Sequence, residues 1–247
     1  MSSLSTFLSF GVNRLRDTLL PPTCVFCHVP VTTHQTCCAD CTRTIHVWSK
    51  HVCHLCGKAM PEDIAPGPCG RCLKKSPPQA QMRSLYTYAG PVRTAILAWK
   101  LNGNDAGLEW LVRAASTKLA TIFSPQDILL PVPMPISRMR KAGRHHAADL
   151  CKMICRATGS RMNYRILRRA GIQQRQSSLS RTARWNNVRK AFQVTDDYPA
   201  YPDAGSRLWI VDDIRTTGAT LHYACRALKP LGQPMHAFSL ARIADKE

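Results

Sequence analysis

The spacing of apolar residues changes twice along the chain. Leu4, Phe7, Leu8, Val12, Leu15 and Leu19 recur at near-helical intervals. They predict a short amphipathic helix over residues 3–19, stopped by Pro21-Pro22, whose stripe fits packing on the protein better than a membrane surface. Residues 24–72 then show no sustained apolar period, and Pro61, Pro66, Gly67 and Pro68 mark loops. Lys74-Lys75-Ser76-Pro77-Pro78 reads as a linker, because proline cannot extend a helix and favours an extended chain. Three parts are expected: an N-terminal amphipathic helix within 1–22, a loop-rich block over 23–78, and a larger domain over 79–247.

In the third part the pattern alternates. Residues 85–89 read as a strand, and 91–101 as a helix with Pro91 at its first position. Leu108, Leu111, Val112, Ala115, Leu119 and Ile122 share one face of a helix predicted over 108–123. A short apolar strand over 128–132 ends in Pro131-Val132-Pro133, followed by a helix over 145–157 and a short strand over 164–167. Residues 208–211 fit a buried parallel strand. A helix over 217–231, closed by Gly232, and a strand over 237–241 complete the pattern. Strands alternating with helices predict an α/β domain with a parallel sheet flanked by helices.

Composition adds a charge argument. Hydrophobic residues make up 45% of the 247, which argues against global disorder. Lys and Arg number 34 against 15 Asp and Glu, a formal charge of +19 that favours polyanionic partners. The richest basic stretch, 161–190, contains Arg168, Arg169, Arg175, Arg181 and Arg184, with Tyr164 and Trp185 as stacking surfaces for single-stranded DNA bases. The competing reading is a solvated basic face around a phosphate pocket. No stretch approaches the ~20 apolar residues of a membrane span. The N-terminus lacks a basic start, and Asn13, Arg14, Arg16 and Asp17 interrupt its apolar run, so a cytoplasmic protein is expected.

The 23–78 block carries metal-site spacing. Eight of the twelve cysteines form four Cys-x-x-Cys pairs: Cys24/Cys27, Cys38/Cys41, Cys53/Cys56 and Cys69/Cys72. Each pair places two thiolates on one side of a tight knuckle, and two knuckles close a four-sulfur zinc site. Sequential pairing of the knuckles is the simplest topology; a crossed one satisfies the same spacing. Redox-active dithiols are the alternative chemistry. Four thiolates leave no open coordination position, so two structural zinc ions are expected, on which this poorly apolar block depends for folding. Cys38 is preferred to Cys37 because it keeps the two-residue spacing to Cys41. His28, His34, His46, His51 and His54 read as surface or packing residues.

A second constellation follows the apolar run Leu208-Trp209-Ile210-Val211. The strand ends in two carboxylates, Asp212 and Asp213, and the loop Thr216-Thr217-Gly218-Ala219-Thr220 opens a helix. Helix N-terminal N–H groups favour a phosphate, and glycine lets the backbone come close. The carboxylates suit neighbouring diol hydroxyls or a magnesium ion. A phosphate cradle beside diol acceptors has the shape of ribose 5-phosphate.

This segment resembles the signature of type I phosphoribosyltransferases. The wider order of a Cys-x-x-Cys block, Pro131-Val132-Pro133, Gln176-x-x-Leu179, Arg184-x-x-Asn187-Val188 and Ala191-Phe192 resembles the ComF/GntX family over nearly the whole chain, from Cys24 to Arg242. The resemblance implies a small double zinc-ribbon domain with four cysteines per ion, followed by a type I phosphoribosyltransferase-like parallel sheet. It also implies phosphoribosyl pyrophosphate and magnesium as ligands, and a role in competence and DNA uptake or utilization alongside DNA-uptake proteins. By the same resemblance, Asp212 and Asp213 match the ribose-binding acids, residues 216–220 the phosphate loop, and Lys100 a pyrophosphate-neutralising lysine. The chain departs from the family at Ala142-Gly143-Arg144-His145-His146-Ala147, where an arginine is replaced by Ala142. Arg144 is the candidate substitute; His145 and His146 change the chemistry if the loop reads the acceptor. Two functions follow: a phosphoribosyltransferase, with Asp212, Asp213, Lys100 and Arg144 in catalysis, or a non-catalytic module that binds a phosphoribosyl ligand and single-stranded DNA.

Overall fold

The alternation expected beyond residue 78 is present in a computed structural model, which describes residues 21–48, 51–170, 191–195 and 205–244. The helix expected over 3–19 lies outside the described residues. In chain order the elements run α1 (Ala39–Thr44), α2 (Gly70–Lys74), β1 (Gln81–Thr87), α3 (Gly90–Asn102), α4 (Ala106–Ala114), α5 (Ser116–Ile122), β2 (Ile128–Pro131) and α6 (Ile136–Ala142). Then come α7 (His146–Thr158), β3 (Arg161–Met162), β4 (Leu167–Arg169), β5 (Phe192–Val194), β6 (Leu208–Arg215), α8 (Ala219–Ala227) and β7 (Met235–Arg242). A 3-10 turn over Lys229–Leu231 separates the last two.

Internal contacts group the chain into two units, residues 1–46 with 89–110 and residues 47–88 with 111–247. These cuts differ from the compositional boundary near 78: the first cysteine cluster shares a unit with α3, the second with the sheet. In the first unit, Val92, Ala95, Ile96 and Trp99 are buried at the 3, 4, 7 spacing of one helical face. Pro91 sits in the first turn of α3, and Gly103 ends the helix at φ 71°, its N–H donating to the carbonyls of Ala98 and Trp99. Gly107 is needed for close packing, since a Cβ there would lie 2.9 Å from Ala95 Cβ and 3.3 Å from the Phe26 ring. Phe26 meets Trp110 edge to face, centroids 5.3 Å apart.

The second unit holds a five-stranded sheet in the order β1-β7-β6-β2-β3, all neighbours parallel. Central β6 is buried along Leu208–Val211, which explains its unbroken apolar run. On one face Leu208 and Ile210 join a core with Leu221, Ala224 and Cys225 of α8. On the other, Phe123 lies edge-on to Trp209 at 4.9 Å and to Phe238 at 5.1 Å, beneath the mutually packed α5 and α7. The outer edge of β1 is covered by the second cysteine block: Val47 bridges Tyr86, Trp48 N–H donates to Leu85 O at 2.7 Å, and Met82 N–H to His54 O at 2.8 Å. That coverage removes an exposed strand edge. β4 and β5 form a separate antiparallel pair.

Several boundaries differ from the sequence pattern. The helix expected over 108–123 is two helices, because Ala115 leaves helical geometry at φ −96°, ψ 8°. The strand expected over 164–167 is replaced by β3 and β4 on either side of a turn. There Asn163 Oδ1 accepts from the N–H groups of Arg165 (2.8 Å) and Ile166 (3.3 Å), the local bonding that makes asparagine a turn residue. The helix expected from 217 begins at Ala219, and the strand expected to end at 211 continues to Arg215. Among the described residues no helix is long and apolar enough to cross a membrane.

An ion pair with a fully buried carboxylate secures the amino end of β6. Asp127, 0% exposed, accepts from Arg207 Nε (3.0 Å) and Nη2 (2.6 Å), Trp209 Nε1 (3.2 Å) and Ser124 N–H (2.9 Å). Burial pushes this carboxyl up, but the Arg207 guanidinium and the Ser124 N–H outweigh it and hold it below its ordinary value. With the folded value depressed, the pair's stabilisation is complete above the unfolded carboxyl's pKa of about 4 and is lost as pH falls through the folded value. Arg207 is 41% exposed, so solvent screens part of the attraction. Asp127→Asn is therefore expected to lower stability by roughly 1–3 kcal/mol at neutral pH. In urea unfolding at pH 7 and pH 3 the deficit should shrink at the lower pH; an equal deficit at both would contradict the role given to the charge.

Candidate ligand crevice and metal centres

The sheet's connectivity fixes where a crevice opens. From β2 the chain passes outward to β3, whereas from β6 it passes in the opposite direction to β7. The strand order therefore reverses between β2 and β6, and ligands of open α/β sheets bind beyond the carboxyl ends of strands at such a reversal. β2 pairs with β6 only as far as Pro131↔Val211, while β7 pairs with β6 to Arg215. Asp212 and Asp213 thus lie on β6 itself, where its β2 flank has become free of strand pairing. Asp213 is 8% exposed and Asp212 is half-buried, with Asp212 Oδ1 accepting from the Asp213 N–H at 3.0 Å.

The loop that follows is shaped by one glycine and one arginine. Gly218 caps α8 at φ 79°, and a Cβ there would lie 2.8 Å from Arg215 Nε. An L side chain would be both strained and obstructed. Thr217 Oγ1 accepts from the Ala219 N–H at 3.3 Å, while Thr216 is exposed and Thr220 half-buried. Arg215 is 7% exposed, and its guanidinium lies directly behind Gly218. Sequence reasoning passed over it; the available signal was strand alternation, which puts Arg215 on the face of Val211 and Asp213. First-turn N–H groups of α8 and this buried cation give the loop a positive environment suited to phosphate.

The loop after β2 leaves the same end of the sheet as the loop after β6. It contains α6, a helix absent from the sequence expectations, which exposes Arg138, Arg140 and Lys141. Arg144 is half-buried and pairs with Asp149 in the first turn of α7, Nε to Oδ2 at 3.9 Å. His145 caps α7: its Nδ1 faces the Ala148 N–H at 3.2 Å and its Nε2 the Met134 N–H at 3.3 Å. A neutral imidazole has a single acceptor nitrogen, so it serves one of these donors at a time. Burial lowers the pKa of His145, keeping it neutral, and its geometry is that of a brace between the loop after β2 and α7.

The remaining residues expected at the site divide. Lys100 lies in the last turn of α3, in the other unit, where its charge complements the helix terminus. Arg169 lies over the Phe192 ring at 5.5 Å and donates to Pro133 O at 3.3 Å, tying the β4–β5 pair to the loop after β2. Burial and then the nearby Arg138 lower its pKa. Arg168 is exposed. Arg175, Arg181, Arg184 and Trp185 lie outside the described residues.

The cysteines gather in two clusters that follow the sequential pairing, Cys24, Cys27, Cys38 and Cys41, and Cys53, Cys56, Cys69 and Cys72. Within each, the sulfur atoms lie within 4.8 Å of one another, with Cys27–Cys38 at 3.7 Å and Cys56–Cys69 at 3.8 Å. A tetrahedral zinc with bonds of about 2.3 Å needs sulfur separations near 3.8 Å, so both clusters fit the metal. Burial pushes the thiols of Cys24 and Cys53 up, but backbone N–H donors outweigh it, from Cys38 and Cys27 for the first and Cys69 and Cys56 for the second. They bring the two thiols down to about 6 and about 7. The clusters are built alike: the residue after the second cysteine, His28 or Gly57, takes φ 62° or 64°. His28 therefore fills a turn position, and no histidine joins either cluster among the described residues.

A double zinc ribbon domain model matches residues 15–73. The chain is similar to the DNA utilization protein YhgH of Escherichia coli O6:H1, 27% identical over 82% of this chain and 88% of that protein. It is similar to competence protein ComFC of Bacillus subtilis, 24% identical over 83% of each, and to competence protein F of Haemophilus influenzae, 25% identical over 83% and 96%. These matches support the resemblance of the chain to the ComF/GntX family. Its two four-cysteine clusters lie within the residues that the double zinc ribbon model matches, and they support two zinc ions. Among solved structures it is similar to a hypoxanthine phosphoribosyltransferase of Staphylococcus aureus, 12% identical with a TM-score of 0.34 over 57% of this chain and 68% of that one. A hypoxanthine phosphoribosyltransferase of Trypanosoma cruzi gives 15% and 0.31 over 56% and 76%.

Zinc content tests the two metal centres. Emission spectroscopy should find about two zinc ions per chain, and Cys27→Ser and Cys56→Ser should each remove about one, since each breaks one four-thiolate set. Retention of both ions in either variant would contradict the assignment.

Proposed function

We propose that residues 208–220 bind the ribose 5-phosphate part of phosphoribosyl pyrophosphate, with magnesium, and that the chain acts in DNA uptake or utilization. The observation that carries this reading is a helix-opening loop with a left-handed glycine, backed by Arg215, beside two carboxylates at the strand-order reversal. The phosphate end of the ligand would meet N–H groups and threonine hydroxyls at 216–220. Asp212 and Asp213 would accept from the ribose hydroxyls and stabilise positive charge at the anomeric carbon. Their oxygens also suit a hard divalent cation, and magnesium, when bound, supplies charge neutralisation to the pyrophosphate. In a transfer, the bond from the anomeric carbon to pyrophosphate breaks with its electron pair leaving on pyrophosphate, and an acceptor forms the new bond. Arg138, Arg140 and Lys141, on the loop after β2, would be candidate cations for that leaving group, as would Lys100 and Arg144 from the family resemblance. The names of the relatives, which speak of DNA utilization and competence, support the proposed cellular role.

Calorimetry with phosphoribosyl pyrophosphate and magnesium tests the pocket. Asp213→Asn and Gly218→Ala should each weaken binding about tenfold or more, the scale of a charge-assisted hydrogen bond or a displaced loop. No binding, or binding unaltered in Asp213→Asn, would sink the assignment. Release of pyrophosphate would mark an enzyme, and saturable binding without release a ligand-sensing module.

A second reading, direct contact with single-stranded DNA, is supported by the exposed segment Arg161, Tyr164, Arg165 and Arg168. Tyr164 is 65% exposed, and the Arg165 guanidinium lies 6.0 Å from its ring centre. Affinity for an unstructured oligonucleotide should fall steeply between 50 and 200 mM salt, as counterion release requires. An affinity insensitive to salt would rule this contact out. A scaffold for DNA-uptake proteins is the corresponding role for the zinc ribbons.

A further inference from the structure

A cavity of about 300 Å³ opens within the second unit, away from the crevice. Its wall includes Gln81, Arg83 and Ser84 of β1, Lys118 and Thr121 of α5, and Arg207 just before β6. These strands are parallel, and the lining residues belong to their amino-terminal halves. Trp209, which also lines the cavity, precedes Asp213 by four residues, roughly 13 Å along a strand at about 3.3 Å per residue. The cavity and the 212–220 turn therefore lie towards opposite ends of the sheet.

Its chemistry is one-sided. Three cations line it, and among the described lining residues none carries a carboxylate. Arg207 is largely offset by buried Asp127 behind it. Arg83 is not offset in this way: the Gln81 amide, with its oxygen turned toward Arg83, accepts from Nε at 2.9 Å and Nη2 at 2.7 Å, leaving the positive charge in place. Strand register puts His236 between Gln81 and Trp209 on the same sheet face, its ring 4.9 Å from Trp209. Val52, Ile122 and Trp48 add apolar wall. A volume near 300 Å³ is at the small end of ligand sites.

We infer that this cavity is a second ligand site, separate from the 212–220 turn, that takes a small phosphorylated molecule up to mononucleotide size. The phosphate would lie against Arg83 and Lys118, and the body against the apolar wall. The inference does not depend on the reading of the turn.

Calorimetry on the full zinc-loaded chain, using adenosine 5′-monophosphate, adenosine and inorganic phosphate, tests it. An Asp213→Asn/Gly218→Ala background removes the turn as a competing site. In that background adenosine 5′-monophosphate should still saturate. Adding Arg83→Gln/Lys118→Gln, with the thermal midpoint unchanged, should cost at least tenfold in affinity. Inorganic phosphate should compete and adenosine should not. The inference is overturned if no phosphorylated probe saturates, if affinity survives loss of both cations, if adenosine binds as well as its monophosphate, or if binding disappears with the turn variants alone.

Discussion

The parallel pairing of Leu208–Arg215 with a neighbour on each side is the constraint from which the site is built. Two-sided pairing and two-faced burial hold the strand's direction and register rigidly. Because β2 stops at Pro131, one flank of β6 is released just where Asp212 and Asp213 occur. Because β7 continues alongside to Arg242, the last residues stay straight and deliver the chain to Gly218 at a fixed height. Arg215 then lies behind a loop with no room for a side chain at residue 218. Acids, loop and buried cation thus share one rigid support, which is how a binding constellation keeps its geometry.

A second constraint joins metal binding to the sheet. Arg242, 1% exposed at the end of β7, donates to Cys56 O at 3.0 Å and lies 4.8 Å from the centre of the Trp48 ring. Trp48 Nε1 in turn donates to Gly57 O at 3.0 Å. The second cysteine cluster is therefore bonded to the same strand layer that carries the crevice, and it covers the edge of β1. Folding of that cluster around its metal and closure of the sheet edge are parts of one structure.

Much of this was legible in the sequence for local reasons. Cysteine spacing reports a knuckle whose geometry is set within four residues, and an apolar run followed by Asp-Asp and Thr-Thr-Gly reports a strand–turn–helix set within thirteen. What escaped depends on distant partners. Nothing near Ala115 announces the break between α4 and α5, since neither proline nor glycine marks it. The turn at Asn163 competes successfully with a short apolar pattern because its side chain bonds two backbone donors. Arg215 reads as one more basic residue until the fold turns it inward. Composition also groups both cysteine clusters together, whereas contacts place them in different units.

The central claim is that the turn after β6 holds a ribose 5-phosphate. A crystal structure of the chain grown with phosphoribosyl pyrophosphate and magnesium tests this most directly. The account predicts the 5-phosphate within hydrogen-bonding distance of backbone N–H groups in 216–220 and the ribose hydroxyls against Asp212 and Asp213. A ligand bound elsewhere with this turn empty, or a sugar lying away from both carboxylates, would contradict it.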